Sequence, residues 1–167
     1  WNGTWYGFGG GGGRDIWHTN DYRKPFTRGP ILEIEAEDYI PRERIQESKK
    51  DPDDLTYRMR HAAVDVSGSE VDIYYSNVGD EPERIKRARV KMVEDLSAWK
   101  ATTFEEVLRT ETDYEGVEAV NEPSTGGADH DPVHQVRDPY IYNEGDRKYL
   151  VYSIAGEKGL GIAELTE

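Results

Sequence analysis

The chain has no cysteine among its 167 residues. Disulfide frameworks and thiolate chemistry are excluded with it, while the compartment stays unassigned. Long apolar runs are missing too, and no stretch approaches the length that crosses a membrane as a helix. Lysine is scarce, and the 21 basic residues face 34 acidic ones for a net charge of −13. A surface of that sign repels phosphate backbones and anionic membranes, so neither nucleic acid nor membrane is an expected partner. It suits a neutral partner such as a sugar, and equally suits plain solubility. No signal-peptide pattern is visible. Asn2-Gly3-Thr4 fits a glycosylation sequon, a pattern short enough to arise by chance.

What the chain does have is an internal repeat, which is best sought before anything else. Val136-Arg137-Asp138-Pro139-Tyr140-Ile141-Tyr142 and Lys148-Tyr149-Leu150-Val151-Tyr152-Ser153 read as two strands around the polar turn Asn143-Glu144-Gly145-Asp146. Pro139 has no backbone donor, which puts Asp138 at the mouth of a strand rather than inside one. A shift of 77 positions carries Arg60 onto Arg137, Gly68 onto Gly145, Ile73 onto Leu150, Tyr75 onto Tyr152 and Gly79 onto Gly156. After Gly79 the earlier unit carries about two extra residues, around Pro82 and Glu83; with these removed, Ala88 meets Ala163.

A third, partial unit opens the chain. Thr4-Trp5-Tyr6-Gly7-Phe8 matches the second strand of the unit, Asp15-Ile16-Trp17-His18-Thr19 the third, and the run from Phe26 to Leu32 resembles the fourth, after Trp99. The unit therefore has four strands, and four-stranded sheets repeated radially are the blades of a β-propeller. Residues 1–34 are expected to form a partial blade without its opening strand, 57–110 a full blade, and 133–167 a blade without its fourth strand. The expected fold class is all-β, with two to three blades of one propeller domain.

The Arg-Asp-Pro-Tyr-Ile-Tyr strand, the Tyr-Tyr-Ser and Val-Tyr-Ser strands, and the closing Gly-Leu-Gly-Ile-Ala-Glu-Leu together resemble the five-bladed β-propeller glycoside hydrolases. That clan includes the family 43 arabinanases and xylosidases and the family 32 fructosidases. The resemblance covers most of residues 1–34 and 57–167 and is carried by strand pattern. It implies three acids on the inner strands of successive blades: a base or nucleophile, a helper Asp, and a proton donor. Asp138 matches the helper in the clan's Arg-Asp-Pro motif, with Arg137 fixing its charge and contacting substrate. In family 32 that motif precedes the acid-bearing blade, whereas here it lies on the last strand set. Arg-Asp-Pro also recurs in propellers as a structural brace, so assisting and structural roles both stand for Asp138.

Blades of this kind take about 40–50 residues each, so a closed five-bladed ring needs more chain than this, and the sequence reads as part of a longer protein. Incomplete blades leave unpaired edges, which favour self-association. The glycines at 9–13 complete a G-x-G-x-x-G pattern, but the β-branched, aromatic segment after them is no helix, so they read as a loop. Residues 35–56 read as a charged interblade connection, with a short helical turn at 42–49.

Glycoside hydrolysis needs two carboxyl groups flanking the scissile bond. Glu122, just before Pro123 in the long connection of residues 111–135, is the best second acid, with Glu115 and Glu118 as alternatives; connections of that length are often functional. His61 holds the repeat position of Asp138 and, with Arg60 and His134, completes the expected sugar-binding set. A hydrogen-bonded structural histidine is the plainer reading of His61. His130-Asp131-Pro132-Val133-His134 has metal-ligand residue types, but Pro132 works against one helical face carrying both histidines. Neither a metal nor a cofactor is expected. The expected function is hydrolysis of an oligo- or polysaccharide by paired carboxylates, and the alternative is a non-catalytic carbohydrate-binding or scaffold propeller.

Overall fold

The computed structural model describes residues 1–9, 15–34 and 59–166. Most of the glycine loop and the charged connection at 35–56, with its expected helical turn, lie outside the described residues. Within them the protein is all-β, without an α-helix. Strands β1 (Trp5–Gly9), β2 (Asp15–Thr19) and β3 (Thr27–Ile31) form a first antiparallel sheet. The second sheet runs in the order β4-β8-β7-β6-β5, from β4 (Glu33–Ile34), β5 (Met59–Ser67), β6 (Glu70–Asn77), β7 (Ile85–Lys91) and β8 (Lys100–Leu108). It is antiparallel except for β4, which pairs parallel to β8 at its far edge. The third sheet is β9 (Arg137–Glu144), β10 (Arg147–Ile154) and β11 (Gly159–Glu164), again antiparallel. None of the three closes on itself.

The registers carry the repeat into the backbone. Ile73 pairs with Ala88 in the second sheet and Leu150 pairs with Ala163 in the third. Gly68 and Gly145 occupy the first position of equivalent two-residue hairpin turns, at φ 59° and 61°. Only glycine enters that region without a Cβ penalty, which is why both units have it there. Pairing of β5 with β6 slips by one residue between Met59 and Ala62, and pairing of β9 with β10 slips at the equivalent place, between Arg137 and Tyr140. Each unit thus begins with a bulge that re-aims the residues at the mouth of its first strand.

Two cores separate the three sheets. Val71, Ile73, Tyr75, Ala88, Val90 and Trp99 of the second sheet's region pack with Ile16 and Leu32, and with Tyr6 and Phe8 of β1. From the opposite face Tyr74 and Ile85 pack with Val136, Ile141, Leu150 and Tyr152. Strand β6 is therefore buried on both faces, and its near-continuous apolar run reflects that, as for any strand with no solvated side. Removing each such side chain from water contributes roughly 1.5–3 kcal/mol. The one charge in the run, Asp72, is held by both guanidinium arms of Arg89 at 2.7 and 2.8 Å. Strand β9 packs against β5 and β6 without hydrogen-bonding to them, so the bulged mouths of β5 and β9 lie side by side.

Candidate functional site

At those mouths two layers of charge lie one residue apart. The inner layer is built on Glu83, which is fully buried. Arg60 grips its carboxylate with Nε and Nη2 at 2.9 and 3.2 Å. Ser76 donates to the same carboxylate at 2.6 Å, and Arg137 Nε stands 3.7 Å from Oε2. Arg60 also donates to the carbonyls of Thr125 and Gly127 at 2.6 and 3.1 Å. Arg137 is itself fully buried and donates to Asp129, Gln135, Glu157 and the Gly127 carbonyl. Arg60 thus satisfies the Glu83 carboxylate directly, Arg137 Nε faces it at ion-pair distance without a hydrogen bond, and the loop at 125–129 is pinned from both sides.

Arg60 and Arg137, expected to bind substrate, are thereby turned inward. Arg137 is closed to solvent and shared among five protein groups, and Arg60, its side chain 9% exposed, among three, so both act as braces between neighbouring sheets. Glu83 is the residue the sequence reading missed. Its signal was the two-residue insertion after Gly79, which supplies the anion that both repeat-related arginines need.

The outer layer is His61 and Asp138, again at repeat-equivalent positions. His61 Nδ1 lies 2.8 Å from Asp138 Oδ1, an ion-pair distance without the alignment of a hydrogen bond. Ser153 Oγ donates to Oδ2 at 3.3 Å. The Asp138 side chain is 22% exposed and that of His61 75% exposed, so the pair opens to solvent directly above the sealed layer. Asp138 has φ 52°, in the left-handed region that a non-glycine residue adopts at a cost. It falls at the bulge in β9, and Pro139 after it disfavours rather than supplies that conformation. Chemically the pair offers a carboxylate with acceptor capacity to spare and an exposed imidazole whose ring nitrogens can donate or accept a hydrogen bond.

The remaining candidates are dispersed. Glu122 is exposed, and its carboxylate makes no hydrogen bond or ion pair among the described residues. Its carbonyl accepts from Gln135 Nε2 at 3.3 Å, which fastens its loop to the Arg137 cluster. Glu118 is exposed. His134 is half-buried and donates its backbone N–H to the Val120 carbonyl at 3.0 Å. In the tract before it, Asp129 is taken by Arg137, and the His130 carbonyl accepts from Lys158. Among the described residues no three His, Asp or Glu side chains converge as metal ligands would.

Glu115 is buried and structural. Burial pushes its carboxyl up, but Tyr152, the backbone of Glu111, and the hydroxyl and backbone of Thr112 all donate to it and hold it below the ordinary range. Burial, then the hydrogen bond to Glu115, raises the Tyr152 hydroxyl. A carboxylate with that many donors has no acceptor left for substrate.

No family model matches the chain. Over 114 residues, 68% of its length, it is 40% identical to "Uncharacterized protein R118" of Acanthamoeba polyphaga mimivirus. That stretch is 32% of the viral protein, so the chain spans about a third of this relative's length.

Proposed function

We propose that the chain forms part of a five-bladed β-propeller that hydrolyses glycosidic bonds, with the His61–Asp138 pair as its contact with the sugar. The observation that carries this reading is Asp138. It is an acid held in left-handed backbone at a bulge, half-open, beside an exposed histidine and above a sealed layer of charge that fixes its strand. Strain of this kind persists where surrounding structure over-determines it, and it gathers at functional sites. In this reading Asp138 orients a sugar hydroxyl and tunes the proton donor, and His61 hydrogen-bonds a neighbouring hydroxyl. Glu122 is the donor, exposed on a loop fastened to the same cluster. No metal or cofactor is invoked.

A second reading, a non-catalytic carbohydrate-binding propeller, draws support from the carboxylate of Glu122, which has no contact with the pair. Asp138→Asn in the full-length protein separates the two. The amide keeps the shape and removes the charge. For hydrolysis, kcat on a glycoside substrate should fall about 10²–10⁴-fold with the melting temperature held. For binding alone, sugar affinity falls and there is no turnover to lose. Unchanged activity on a confirmed substrate ends the catalytic reading.

A further inference from the structure

The first sheet has an open edge and an apolar groove beside it. Strand β1 ends the order β1-β2-β3, and its outer edge pairs with no other described strand. Alongside lies a groove of about 370 Å³ walled by Trp1, Trp5, Phe8, Val64, Val66 and Trp99. Val64 and Val66 on β5 are 43% and 56% exposed and Trp5 is 54% exposed, although all three belong to strands that pack against neighbouring sheets. Large apolar side chains clustered in one concavity mark a surface that something covers.

The turn before β1 shows what kind of thing. Thr4 N–H donates to the Trp1 carbonyl and the Trp1 amino group donates to the Thr4 carbonyl, both at 2.9 Å. Between them Asn2 and Gly3 have φ 47° and 74°. Positive φ at both central residues, an Asn-Gly sequence and a doubly bonded flanking pair make a type I′ β-hairpin turn. Trp1 is thus already in strand pairing with β1, at the position that Ser67 takes before β6 and Glu144 takes before β10.

We infer that the groove is a slot for one extended β-strand, antiparallel to β1 and joined to the Asn2-Gly3 turn on its Trp1 side. Trp1 lines the groove and packs edge-on to Trp99. Strand side chains alternate faces, so every second residue counted back from Trp1 faces Val64 and Val66 and should be apolar. The backbone pairs with the free edge of β1, as β5 pairs with β6 and β9 with β10. This inference rests on the turn and the groove and stands apart from the sugar-binding reading.

The test places a strand of the protein's own type in the slot. Residues 137–143, set directly ahead of Trp1, bring Tyr140 and Tyr142 into phase with it. The extended chain should melt at least about 4 °C higher than the original. Its tryptophan emission should shift to the blue, and the groove should lose binding of the dye anilinonaphthalene sulfonate. A second extension with one serine inserted before Trp1 reverses the phase and should lose the gain, as should Val66→Asp in the first extension. Equal melting of the in-phase and shifted extensions overturns the inference. So does continued dye binding at the groove of the in-phase chain, which would mark a small-molecule pocket instead.

Discussion

One residue separates Arg137, which is closed to solvent, from Asp138, which is open to it, and the same step separates Arg60 from His61. The two layers have the same repeat origin and the same bulged backbone, yet they do opposite things with charge. In the inner layer Glu83 draws both guanidinium groups away from water, and every charge there has its opposite within the protein. In the outer layer the partners face solvent and keep unused capacity. Charge that is sealed and matched holds sheets together, and charge that is matched but open is free to meet a ligand. Burial, more than residue type, tells the two apart.

The sharpest way to break the comparison is at Glu83. Glu83→Gln takes the carboxylate from Arg60 and leaves Arg137 with Asp129 and Glu157 only, and loss of one partner from a buried ionic group costs about 3–5 kcal/mol. Urea unfolding should show a lower midpoint at unchanged slope, the product of the two giving a loss of that size. If the cost is under about 1 kcal/mol, the inner layer is not the brace described above.

Gly161 tests a second sealed place. A Cβ there would sit 2.5 Å from Cζ of Tyr152, whose ring is buried and whose hydroxyl donates to Glu115 at 2.6 Å. Gly161→Ala should cost about 1–3 kcal/mol by overpacking, measurable in the same urea titration.

A smaller effect is expected from pH. The Glu115 carboxyl is held below its ordinary 4.5, so the native state binds fewer protons than the unfolded chain in that range. Its stabilisation is complete above the ordinary value and is lost as pH falls through the lower native one. For Tyr152 the sign reverses: its hydroxyl is raised, the unfolded chain loses its proton first, and stability declines above pH 10. Melting curves of Glu115→Gln should be flatter on the acid side than those of the parent.

The smallest effect belongs to the open pair. His61 is largely exposed, and His61→Ala should change stability by no more than about 1 kcal/mol. A larger loss would make His61 part of the brace and remove the contrast between the layers.

Much of the fold was legible because the repeat writes the same constraints twice. Gly68 and Gly145, Ile73 and Leu150, and Ala88 and Ala163 each answer one backbone or packing demand, and pairs of like answers expose the register. The all-β class and the strand positions follow from these residues. The site was harder to read. Arg60 and Arg137 have the residue type of a sugar contact, and only the buried anion from the insertion after Gly79 shows that they face inward. Glu115 looked like a free acid until its four donors were seen. Asn2-Gly3-Thr4 read as a glycosylation sequon, although Asn-Gly before an alternating strand is also the strongest short hairpin signal.

The shared bulge has a consequence for spacing. His61 and Asp138 are repeat equivalents on neighbouring first strands, and their side chains meet. A strand seated beside β1 would bring its own equivalent residue, as far before Trp1 as His61 lies before Ser67, to the other side of His61. Were that residue an acid, its carboxyl would face Asp138 across one imidazole. With Glu122 as the donor in the hydrolase reading, such a pair would hold substrate rather than cleave it. Its separation would be fixed by the pitch between packed sheets, a distance no surface loop can tune.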